Sequence, residues 1–221
     1  MRRIEMPSPN HDARGGAAID MLVLHYTGMP TAKAALDRLC DPAAKVSAHY
    51  TVDEDGTIYT HVPEARCAWH AGVSFWAGVT DINARSIGIE LVNPGHEFGY
   101  RDFANAQVEA LITLCHGILL RHPIPSARVL GHSDVAPARK EDPGERFPWA
   151  RLDKAGIGLW PQVVASDLGP EALHRYGYDP NAPQESLVTA FQRHFRPTRL
   201  DGKWDGECAG LLASLLTAPG V

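Results

Sequence analysis

Short apolar runs ending in polar residues dominate the first two-thirds of the chain. Met21–Leu24 is apolar throughout and is followed at once by His25, the pattern of a strand buried on both faces. Residues 86–92, SIGIELV, alternate instead. Ile87, Ile89 and Leu91 share one face, so Gly88 and Glu90 point to the other. Residues 129–131 form a third short run and deliver His132 to its end. SAHYTVDEDGTIYTHV, residues 47–62, reads as a hairpin turning at Glu54-Asp55-Gly56.

Two segments carry helical spacing. Ala34, Ala35 and Leu39 line one face of residues 31–41, which Asp41-Pro42 stops. Val108, Leu111, Ile112, Cys115, Ile118 and Leu119 form the stripe of a longer helix that Pro123 and Pro125 end, with His116 beside the stripe as a helix-surface residue. Residues 1–18, 65–78 and 133–161 have no clean period and read as an irregular arm and two loops. Beyond Pro161 the pattern becomes wholly helical, with Leu187, Val188, Phe191 and Phe195 on one face of residues 184–195. The expected organisation is an N-terminal arm over 1–18, an α/β domain over 19–161 with a mixed central sheet flanked by helices, and a three-helix module over 165–221.

Composition narrows the function. A net charge of −5 argues against a nucleic-acid binder working through bulk charge. No run approaches the roughly 18 apolar residues of a membrane span. The two arginines at the start precede IEMPSPN rather than an apolar stretch, so no export signal is expected and a cytoplasmic location is, with a periplasmic one as the alternative had a signal been removed. The four cysteines form no CxxC pair, which fits a reducing compartment.

His25 and His132 each follow an apolar run, and strand ends are where α/β folds place chemistry. Asp142 lies ten residues after His132 in RVLGHSDVAPARKEDPGERFPW. Two imidazoles and a carboxylate would leave a fourth tetrahedral position open on a zinc ion, the layout of a catalytic site. Read from the residues alone, they could equally be structural histidines and a solvated loop charge.

LVLHYTG, SAHYTVDEDGTIYTHV, AWHAG, SIGIELVN and GHSDVAPARKEDPGERFPW occur in this order. Together they resemble the zinc-dependent N-acetylmuramoyl-L-alanine amidases of the AmpD/AmiD type, relatives of the peptidoglycan recognition proteins, over residues 8–161. The tail resembles the peptidoglycan-binding-like helical module behind AmiD-type domains. The resemblance implies one zinc per chain held by His25, His132 and Asp142, Glu90 as the catalytic acid–base, and Lys140 as a second catalytic residue. Tyr50, Trp69, His70 and Asn83 are expected to shape the substrate cleft. The implied partner is a muropeptide or peptidoglycan fragment, not nucleic acid or membrane. The implied reaction is hydrolysis of the amide between N-acetylmuramic acid, or its 1,6-anhydro form, and L-alanine, in recycling. The alternatives are an exported or lytic amidase and a non-catalytic recognition protein.

Overall fold

The computed structural model describes residues 2–219; Met1, Gly220 and Val221, at the ends of the expected arm and module, lie outside the described residues. Its strands are β1 (Arg3–Glu5), β2 (His11–Ala13), β3 (Met21–Tyr26), β4 (Tyr50–Val52), β5 (Ile58–Thr60), β6 (Arg66–Ala68), β7 (Ser86–Leu91) and β8 (Val129–Gly131). Its helices are α1 (Ala32–Cys40), α2 (Ile82–Arg85), α3 (Gly95–Phe98), α4 (Asn105–Arg121), α5 (His132–Val135), α6 (Trp149–Lys154), α7 (Leu173–Tyr176), α8 (Gln184–Phe195) and α9 (Gly206–Leu215).

Six strands form one sheet in the order β1-β5-β4-β7-β3-β8, parallel at every step except the β4–β5 hairpin. This is the expected mixed α/β architecture. The arm over 1–18 is a correction. It is not irregular, because β1 adds to the sheet edge beside β5 and β2 pairs antiparallel with β6, itself inside the segment read as loop. Three-residue strands carry too little alternation to stand out in sequence, and their partners lie 53 to 57 residues away.

Register divides the side chains of the sheet. Met21, Val23 and His25 pair with Ser86, Gly88 and Glu90, so these six point to one face. Leu22 and Leu24 pair with Ile87 and Ile89 on the other face, where they bury against Val108, Leu111 and Cys115 of α4. Cys115 is fully buried, as the stripe predicts, while His116 is exposed and donates to the Ala155 carbonyl.

The first face is covered from the C-terminal end of the chain. Met21, Val23, Leu130 and Val135 share one apolar cluster with Leu173, Tyr178, Phe191 and Leu212. The last helices therefore complete the core on the side of the sheet that carries His25 and Glu90. Trp76, almost wholly buried, joins that cluster and contacts Tyr178 edge-to-face with ring centroids 4.9 Å apart.

Candidate metal centre

The parallel strands β3, β7 and β8 end together, and each delivers one polar side chain. His25 lies within β3, one residue before its end, with Glu90 of β7 as its register partner. His132 follows Gly131, whose partner is Leu24, and opens α5. Asp142 comes from the following loop, which the Asp142 carbonyl ties to the Ser133 N–H at 2.9 Å.

The three side chains meet in a buried triangle. His25 Nδ1 stands 2.9 Å from His132 Nδ1 and 3.0 Å from Asp142 Oδ2, and His132 Nδ1 stands 3.1 Å from the same oxygen. The hydrogen bonds behind the rings decide which ring nitrogens carry protons. Ser86 Oγ gives its one proton to the Ile82 carbonyl at 2.7 Å, so it can only accept from His70 Nε2, 3.0 Å away. His70 therefore presents the Nδ1 lone pair to His25 Nε2 at 3.0 Å, and His25 is protonated on Nε2. His132 Nε2 donates to the Ala71 carbonyl at 3.0 Å. Both histidines thus aim Nδ1 lone pairs at each other and at a carboxylate.

Three acceptors within 3.1 Å with no proton among them call for a cation. A set of two imidazoles and one carboxylate suits zinc with an open fourth position. Burial, reinforced by His132, lowers the His25 pKa to about 4 and keeps the ring neutral, as a ligand must be. Burial alone would raise the Asp142 carboxyl, but His132 and His25 outweigh it and hold Asp142 well below the usual carboxylate range.

Glu90 faces the same space. Burial, and then Asp142, raise its carboxyl well above the ordinary range, with Lys140 opposing. Its Oε2 is buried without a hydrogen-bond partner. A carboxyl so placed can accept and return a proton near neutral pH. Glu90, His132, Lys140 and Asp142 line a cleft of about 700 Å³, whose far wall includes Glu185, Thr189 and Arg193 of α8.

Of the four residues expected to shape that cleft, His70 alone lines it, and it does so from behind His25. The other three sit elsewhere. Tyr50 donates to Glu64 at 2.7 Å, Trp69 Nε1 donates to Asp12 at 2.7 Å, and Asn83 Oδ1 accepts from the N–H groups of His70 and Ala71. Asn83 therefore fixes the loop that carries His70 rather than lining the cleft. Adjacency in sequence to AWHAG and to β4 does not give facing, which the sheet register sets.

Two arrangements escaped the sequence reading. The Ser86–His70 pair behind His25 is one; a glycine at position 88, in the middle of a strand, was its available signal. The other ties the segment after β8 to the C-terminal helices. Asp134, two residues after His132, accepts from Gly131 N–H, from Tyr178 Oη and from His194 Nδ1, each at 2.7 Å. His194 is buried and stacks on Trp149 with ring centroids 3.7 Å apart. His96 lines the cleft beside Glu141 and Glu145.

Comparison with known proteins agrees with this geometry. The family described as N-acetylmuramoyl-L-alanine amidase (Amidase_2) matches residues 15–145. The chain is 39% identical to the N-acetylmuramoyl-L-alanine amidase AmiD of Escherichia coli (strain K12), over 90% of this chain and 82% of that protein. It is 34% identical to the 1,6-anhydro-N-acetylmuramyl-L-alanine amidase AmpD of Enterobacter cloacae, over 66% of this chain and 86% of that one. Among solved structures, AmiD from E. coli in complex with the substrate anhydro-N-acetylmuramic acid-L-Ala-D-gamma-Glu-L-Lys superposes with a TM-score of 0.81 at 37% identity, covering 91% of each chain. AmpDh3 from Pseudomonas aeruginosa superposes with a TM-score of 0.79 at 35% identity, over 94% of this chain and 93% of that one.

Proposed function

The chain belongs to the N-acetylmuramoyl-L-alanine amidase family, and on that premise we propose how its own residues hydrolyse the amide between N-acetylmuramic acid, or its 1,6-anhydro form, and L-alanine. The observation that carries the reading is the buried triangle of His25, His132 and Asp142 beside Glu90 in one cleft. One zinc per chain would be held by those three residues. When bound there it supplies Lewis-acid polarisation of a carbonyl and activation of water near neutral pH.

The residues of the chain do the rest. Glu90 takes the proton of the attacking water and passes it to the nitrogen of alanine as the carbon–nitrogen bond breaks. Its strand is clamped between β3 and β4, so the carboxyl is presented without freedom to swing away. Lys140 offers a cation to the oxygen that becomes negative at the scissile carbonyl, a contribution commonly worth about 3 kcal/mol. His70 and Ser86 keep His25 in the tautomer that a metal needs.

Residues 19–161 form the catalytic part of this reading, and residues 165–221 the helical part. We favour soluble muropeptides of the 1,6-anhydro type, and so a recycling role, because the cleft is closed on one side by α8. A cytoplasmic location suits four cysteines that are all unpaired. Among the described residues, no helix is long and apolar enough to cross a membrane. A non-catalytic recognition protein is disfavoured because the full ligand triangle and Glu90 stand together. The test is incubation of the zinc-loaded protein with an anhydromuropeptide and with intact sacculi, followed by mass spectrometry. Release of the free peptide from the anhydromuropeptide is expected. No cleavage of either substrate would refute the activity, and a strong rate preference for sacculi would refute the recycling role.

A further inference from the structure

α8 turns two different faces to its surroundings. Leu187, Val188, Phe191 and Phe195 enter the core, while Glu185, Ser186, Thr189 and Arg193 form a polar stripe along the cleft that holds Glu90 and the His–His–Asp triangle. Arg193 is the cation of that stripe. Its side chain is only 11% exposed, and its Nε is buried with no hydrogen-bond partner. The carboxylate recorded beside it is Glu145, 3.9 Å from Nε, too far for a hydrogen bond and already engaged by His96 at 3.1 Å. A guanidinium held out of water with donors to spare is costly unless an anion completes it.

We propose that Arg193 is a specificity residue that binds a free carboxylate on the peptide stem of the substrate. This rests on the amidase reading above. The substrate in the E. coli AmiD complex joins D-Glu to L-Lys through the γ-carboxyl, while L-Ala is linked to the amino group of that glutamate. Such a linkage leaves the α-carboxylate of that glutamate free, one residue beyond the alanine whose amide is cut. With the scissile amide at the triangle, Arg193 is the largely buried cation on the α8 wall of the same cleft. Lys140 lies next to the triangle in sequence and is occupied with the scissile carbonyl. Arg38, on the α1 side of the cleft, is exposed and serves as the comparison. The C-terminal helices would then contribute directly to substrate choice and not only to the core.

The test compares two substrates of the zinc-loaded full chain: anhydro-N-acetylmuramoyl-L-Ala-D-γ-Glu-L-Lys, and the same molecule with D-isoglutamine, whose α-carboxamide carries no charge. Wild type is expected to prefer the carboxylate by about 10- to 100-fold in kcat/KM, the range of a charge-assisted hydrogen bond. Arg193→Met should bring that ratio close to one, Arg193→Lys should keep part of it, and Arg38→Met should leave it as in wild type. A wild type that cleaves both substrates equally well would overturn the subsite without touching the amidase reading, and it needs no variant to fold. So would an Arg193→Met variant that keeps the full ratio, or one that slows both substrates by the same factor. If wild type cleaves neither substrate, the amidase reading falls and the subsite falls with it.

Discussion

The ring of His70 occupies the space that a side chain at position 88 would need: a Cβ built on Gly88 would overlap Cγ, Cδ2 and Nδ1 of that ring. Gly88 thus allows His70 to lie flat on β7 and reach His25. Gly88→Ala is expected to push the ring off its bond to His25, with an overpacking cost of about 1–3 kcal/mol. Thermal unfolding should show the destabilisation, and zinc titration a weaker affinity. Adding His70→Ala should recover the melting temperature but not the affinity. An unchanged affinity in Gly88→Ala would show that His70 does not support His25.

The same chain of hydrogen bonds makes His70 a positioning residue whose role depends on an acceptor atom. His70→Leu removes it and should weaken zinc binding by about 10- to 100-fold. His70→Asn can place a carbonyl oxygen near the position of Nδ1 and should retain most of the affinity. Ser86→Ala should give a smaller loss. Competition titration with a chromophoric chelator reads all three, and equal losses for Leu and Asn would mean that packing alone is at work.

Glu90 and His132 should separate cleanly. Glu90→Gln keeps the size and burial of the side chain, so fold and stoichiometric zinc should persist while turnover falls by about 10²- to 10⁴-fold. His132→Ala should lose most of the zinc. Metal analysis and turnover on one anhydromuropeptide are sufficient. Full zinc retention in His132→Ala would remove that residue from the ligand set.

Stability should depend on pH through Glu64, far from the cleft. Burial would raise its carboxyl, but hydrogen bonds from Arg121, His122 and Tyr50 outweigh burial and hold it at about 2. A depressed folded-state value gives stability that is present above the unfolded value near 4.5 and is lost as pH falls toward 2. The contribution at neutral pH is on the order of 1–3 kcal/mol, since Arg121 is half exposed and partly screened. Glu64→Gln should therefore be less stable than wild type at pH 7, with a gap that shrinks several-fold at pH 2.5. Denaturant melts at the two values measure the difference, and a constant gap would contradict the assignment.

The C-terminal helices should not melt separately. They share one apolar cluster with β3, β8 and α5, and Asp134 is bonded to Tyr178 and His194 from their side. Scanning calorimetry should show a single transition, and Tyr178→Phe should lower its midpoint as a whole. Two resolved transitions would mean that residues 165–221 fold apart.

Position within the chain determined a good deal on its own. The apolar runs that become β3, β7 and β8, the alternation that sets Glu90 opposite Ile87 and Ile89, and the stripe of α4 are local periodicities, and local spacing fixes which side chains share a face. These were enough to single out His25 and His132 as strand-end groups and to turn Glu90 away from the Ile87 and Ile89 face, and the ordered motifs suggested the family and with it the role of Glu90. Tertiary structure decided what stands behind and around them. His70 meets His25 across 45 residues, and Asp134 meets His194 across 60, because three parallel strands and the C-terminal helices bring distant segments to one face of the sheet. Nothing in local hydropathy distinguishes a histidine that accepts from His25 from one in solvent. Tyr50 and Trp69 failed as cleft residues for the same reason: a motif names neighbours along the chain, while register and packing choose the direction in which each side chain points.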